Sequence, residues 1–216
     1  DIMPTNADGT MPFRQNNDLF WLSGIDQEES ILVIFSDNTD EKNQEILFLK
    51  ETNDHIALWE GKKLTKDSAF TISGLKSIYW LSEFESKLNE LTNKVDTIYL
   101  NKNMHSRSTS KVETRDDRFR EMFIEKYPNK KIKEVAPIMH DLRSIKSDIE
   151  ITLIQTACDI TEKALRRILP FIKPEIMEYE IEAELIHEFL KNRSSGFSYS
   201  PIIGSIKVIR SGKVKK

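Results

Sequence analysis

Cysteine is nearly absent. Cys158 is the single one in 216 residues, which excludes an intrachain disulfide framework and a four-cysteine zinc site. Glycine is scarce as well, with 7 residues against a usual share of roughly 7%, so little is left for glycine-built phosphate loops. No apolar run approaches the ~18 residues of a membrane span, and the chain does not open on a basic-then-apolar signal segment. An excess of one charge is missing too. Lys+Arg 32 against Asp+Glu 35 leaves a formal net charge of -3, which gives no electrostatic reason to expect nucleic acid as a partner. These absences favour a cytoplasmic protein with neither a nucleic-acid nor a membrane partner.

What is present is polar and globular in character. Charged residues make up 31% and hydrophobic ones 38%, with a mean hydropathy of -0.47. The length lies between one and two domains of roughly 150 residues and allows a core without metal or disulfide staples. The chain begins at Asp1 and finishes Gly212-Lys213-Val214-Lys215-Lys216; at this level both ends look cut.

The order of elements predicts an α/β fold with a mixed sheet through residue 135. Leu19-Phe20-Trp21-Leu22 is an aromatic run expected to be buried. Residues 31–35 (ILVIF) suit a strand covered on both faces. Strands are expected at 46–49, 56–59 and 97–100, a turn and strand over 73–80, and a helix over 83–91, where Phe84, Leu88 and Leu91 recur at helical spacing. Residues 101–117 hold almost no apolar side chains and read as an exposed loop, before a short helix carrying Phe119, Met122 and Phe123 up to Pro128. From residue 146 the texture changes. Ser147-Asp148-Ile149-Glu150 is a helix start, and Ile154, Ala157, Thr161, Ala164, Leu165 and Ile168 form one stripe ending near Pro170. Pro174 opens a second helix that ends by Asn192.

Candidate chemistry is thin. His187-Glu188 starts like a zinc HExxH helix, but Lys191 stands where the second histidine belongs, so the motif fails. Asp116-Asp117 read as solvated charge, His140-Asp141 as structural residues at the domain junction, and Cys158 as a small packing residue. Ser195-Gly196 and Gly204-Ser205 lack the G-x-S-x-G elbow. The end from Ile206, with Lys207, Arg210, Lys213, Lys215 and Lys216, is a basic tail. From these residues alone no catalysis is assigned.

Several segments together resemble one family. Residues 12–24 (PFRQNNDLFWLSG) resemble the "PFRQnsdfyYLtG" signature of the N-terminal domain of Xaa-Pro aminopeptidases, the aminopeptidase P or creatinase-type metallopeptidases. Residues 47–49 followed by 58–64 (LWEGKKL) are similar to that domain's "LF…eiWtGxRlG", with Lys63 in place of the usual arginine. Residues 142–150 (LRSIKSDIE) resemble the "lRxIKsxxEi" entrance to the pita-bread catalytic domain. Residues 172–180 (IKPEIMEYE) are similar to "ikPGmtEyEl", with Glu175 where glycine is usual, and residues 197–205 (FSYSPIIGS) to "aYxsIvgSG". The five pieces are collinear from residue 4 to 205.

The resemblance implies a creatinase-type N-terminal domain over 1–143, an incomplete start of the pita-bread domain over 144–205, and a tail over 206–216 outside the pattern. It implies removal of the N-terminal residue before proline from peptides, by an enzyme whose two manganese ions supply a hydroxide at neutral pH and polarise the scissile carbonyl. It further implies a homo-oligomer in which Trp59 sits on a segment that can approach substrate or a neighbouring subunit's active site. In the family, "SG" precedes "xNaxxlHY" and then two aspartates, a histidine and two glutamates as metal ligands. This chain reads Ser205-Ile206-Lys207-Val208-Ile209-Arg210 instead. The expectation is therefore no catalytic residue, no metal ligand and no activity from this chain alone. The alternative is a non-catalytic oligomerisation or binding module that pairs with a full-length relative. The two helices from 148 to 192 are expected to expose apolar side chains along Ile154, Ala157, Leu165 and Leu185.

Overall fold

The computed structural model describes residues 5, 9–53, 55, 57–58, 61–102 and 113–204. The chain divides into two compact units, Asp1–Leu142 and Arg143–Lys216.

The first unit is built around one short strand. β1 (Ile31–Ile34) pairs antiparallel with β2 (Glu45–Leu49), with Leu32 opposite Leu47. β2 pairs parallel with β3 (Ser77–Trp80), with Leu47 opposite Ile78. β2 is therefore central, and Ile46, Leu47, Phe48 and Leu49 are fully buried. Their side chains alternate between two faces, as strand geometry requires. Leu47 and Leu49 pack with Ile25, Ala69 and Leu75, while Ile46 and Phe48 pack with Phe84 and Leu91. The first face is covered by α2 (Lys66–Ser73) and the second by α3 (Phe84–Thr92). Each large side chain so buried contributes about 1.5–3 kcal/mol.

β4 (Thr97–Leu100) and β5 (Lys131–Glu134) form a separate parallel pair. α4 (Arg115–Lys126) lies between them in sequence, and α5 (Ala136–Ser144) follows. A file of rings links β2 to α4. Phe48 meets Phe84 edge-on at 5.1 Å, Phe84 lies 5.9 Å from Phe119, and Phe123 lies 4.6 Å from Tyr127.

Several expectations need correction. The two-faced strand is β2 and not β1, which stands at the sheet edge with Ile34 exposed. The run Leu19–Leu22 lies on α1 (Asn17–Ser23), a helix that turns Leu19, Leu22 and Ser23 inward and leaves Phe20 and Trp21 exposed. Among residues 55–58, the described ones are helical and not a strand, with Ala57 N–H donating to the Asn53 carbonyl at 2.9 Å. α4 begins at Arg115, inside the expected loop. α2, β5 and α5 had no counterpart in the sequence reading.

The second unit holds α6 (Asp148–Ile168) and α7 (Glu178–Lys191). Ser147 and Glu150 form a capping box, with the Ser147 hydroxyl and N–H each donating to Glu150 Oε2 at 2.9 Å. α6 packs on α7 through Ala164 and Ile168, one turn apart and both buried. Arg167 Nε donates to Glu184 Oε2 at 2.5 Å and lies across from Glu188 at 3.7 Å. α7 starts at Glu178, four residues after Pro174, because Glu175 has φ 73 and breaks the helical path. Ile154, Ala157 and Leu165 are exposed as expected, whereas Leu185 is half-buried. Cys158 is exposed on α6 and does not pack.

Candidate functional site

A set of polar contacts in the first unit ties together two of the family-like segments. Asn16 caps α1, its side-chain oxygen accepting from Asp18 N at 2.9 Å and Leu19 N at 3.1 Å. Gly24 ends the helix at φ 70, where an added Cβ would meet Ile72 Cγ2 at 3.4 Å. The buried Gln27 then bridges two segments. Its backbone carbonyl accepts from Gln15 Nε2 at 2.8 Å, and its side-chain oxygen accepts from Leu64 N at 2.6 Å. Next to it, Lys63 donates to Glu28, and both side chains are nearly buried. Burial alone would push the Glu28 carboxyl up. The hydrogen bond from Lys63, the backbone, and the charges of Lys63 and Lys50 outweigh burial and hold it below its ordinary value. Residues 12–24 and 61–64 thus meet through Gln27 and Glu28.

A cavity of about 680 Å³ lies in the same unit. Its charged lining is Arg14, Asp18, Glu29, Glu85, Arg115 and Asp116, with apolar walls that include Leu22, Phe84 and Met139. Asp116 and Asp117 occupy the first turn of α4, not an open loop. Thr114 donates to Asp117 Oδ2 from its hydroxyl at 2.7 Å and from its N–H at 3.0 Å, and this holds the Asp117 carboxyl low. Burial, reinforced by the Asp117 charge, pushes Asp116 up, although Arg115 and a hydrogen bond from Asn101 oppose it. The sequence carried a signal for this, since Thr114-x-x-Asp117 is a capping-box spacing.

Among the described residues the donor set does not fit a resident metal. A dinuclear site needs four or five converging carboxylates and imidazoles, and among the described residues no group of three or more His, Cys, Asp or Glu side chains could hold an ion. Asp117 is engaged in its cap, and burial raises the Asp116 carboxyl above its ordinary value. His187 is exposed on α7 and His140 is exposed on α5. Trp59, the one residue expected near substrate or a neighbouring subunit, lies outside the described residues. Among the described residues no helix is long and apolar enough to cross a membrane.

Both segments fall within a region matched by one family model. A family model for the aminopeptidase P N-terminal domain matches residues 1–99, and one for metallopeptidase family M24 matches residues 152–207. The chain is aminopeptidase P-like. It is 28% identical over 202 residues to an Xaa-Pro aminopeptidase of Escherichia coli, covering 93% of this chain and 45% of that protein. It is 26% identical to the Haemophilus influenzae counterpart, over 92% of this chain and 43% of the relative. Among solved structures, aminopeptidase P from E. coli superposes with a TM-score of 0.73 at 26% identity, over 88% of this chain and 43% of that one. Proline aminopeptidase P II from Yersinia pestis gives a TM-score of 0.73 at 25% identity, over 89% and 44%. The aminopeptidase P-like chain therefore spans less than half the length of these relatives. Its mixed α/β architecture corresponds to their N-terminal domain and the start of the catalytic domain.

Proposed function

We propose that this chain forms the N-terminal domain and the opening helices of the catalytic domain of a metallopeptidase that removes the N-terminal residue preceding proline. The domain plan is 1–143, 144–205 and a tail over 206–216. In the complete protein the substrate is a proline-containing peptide, the metal is a pair of manganese ions, and the assembly is a cytoplasmic homo-oligomer in which Trp59 faces substrate or a neighbour. What supports the reading is the collinear likeness to the E. coli Xaa-Pro aminopeptidase along 93% of this chain. On its own, the chain does not hydrolyse peptides.

Its residues contribute rigidity in place of chemistry. Gln27 and the Lys63–Glu28 pair fix the segment at 12–24 against the segment at 61–64. The test joins manganese titration by calorimetry with an assay for amino-acid release from an Xaa-Pro peptide. Neither stoichiometric binding nor release is expected. Tight binding with turnover would place a complete site within these residues and end the reading.

A second reading, a non-catalytic module that pairs with a full-length relative, draws on the exposed apolar residues of α6, among them Ile149 and Leu153. Sedimentation of this chain mixed with the full-length E. coli enzyme separates the two. A stable hetero-complex favours the module, and independent sedimentation favours the peptidase part.

A further inference from the structure

We draw no further inference here: the strongest candidate, the exposed apolar patch where α1 meets α2, with Phe20 and Trp21 on α1 and Ile72 on α2 beside Gly24, carries nothing because no feature among the described residues shows what covers it.

Discussion

Replacing Lys63 by methionine removes one charge from an ion pair whose side chains keep only 12% and 11% of their exposure. Methionine retains most of the aliphatic volume, so the change is mainly electrostatic. In the native protein the Glu28 carboxyl lies below its ordinary value. A depressed carboxyl contributes stability that is present above its unfolded value and is lost as pH falls through the folded one. Without Lys63, burial dominates and Glu28 has two choices. Staying ionised and unpaired costs about 3–5 kcal/mol. Taking up a proton at pH 7 means working 2.5 pH units above the ordinary 4.5, which costs about 3.4 kcal/mol at about 1.36 kcal/mol per unit. The cheaper route therefore contributes about 3.4 kcal/mol of loss at pH 7, added to the forfeited stabilisation of the paired carboxylate. That contribution falls with pH, to about 0.7 kcal/mol at pH 5. Urea unfolding of native and Lys63→Met chains at the two pH values, at one ionic strength, reads both numbers. A loss of the same size at pH 5 and pH 7 refutes the electrostatic account, as does a loss below about 0.5 kcal/mol at pH 7. The double variant Lys63→Met with Glu28→Leu should regain most of the stability, since a buried pair can be exchanged for apolar packing.

Two other substitutions follow from the backbone and from α4. Asp116 has its carboxyl raised by burial and by Asp117, so its contribution is most favourable below its unfolded value and is lost as pH rises through the folded one. Asp116→Asn should therefore raise the melting temperature at pH 7 and give no gain at pH 3; a gain equal at both values rules out titration as the cause. Glu175 sits at φ 73, where an L side chain costs about 1–2 kcal/mol and glycine gives back roughly 0.5–1 kcal/mol through its unfolded-state entropy. Glu175→Gly should stabilise the second unit by about 0.5–1 kcal/mol in thermal unfolding, and a loss of stability would contradict the strain assigned to that turn.

Periodicity made the long elements legible and misled at the short ones. α6 carries Ser147 and Glu150 at capping-box spacing, so its start was readable; of its apolar stripe, Ala164 and Ile168 are buried while Ile154, Ala157, Thr161 and Leu165 are exposed. α2 is eight residues, with Thr65 as cap and Gly74 as stop, too short for an apolar stripe to stand out. β1 and β2 look alike as apolar runs. What separates them is tertiary: β2 has helices over both faces and a strand on each side, and nothing local to Ile46–Leu49 encodes that. β5 escaped because an edge strand written KIKE is charged for reasons of solubility, which hides its strand character. The apparent loop at 101–117 ran too far for a similar reason, since the charges at 115–118 belong to a helix start.

The family-like segments were legible as motifs before their physical reason was. Nothing in residues 12–24 says that they must touch residues 61–64. The structure supplies the link in Gln27, which accepts from both sides, and in Glu28, which takes Lys63 where the family pattern has arginine. A guanidinium fork makes an Arg-to-Lys exchange costly where two parallel hydrogen bonds are needed. Here the ammonium reaches a single carboxylate oxygen, Glu28 Oε1, and one donor suffices. The departure from the pattern at Lys63 is therefore compatible with a single-donor contact to Glu28. The departure at Glu175 does not preserve its backbone, because the φ there is the one that glycine relieves. Two substitutions that look equally mild in a motif have opposite physical standing. The pair at Lys63 ties residues 61–64 to Glu28 in this chain, and the turn at Glu175 places strain at the opening of the second unit.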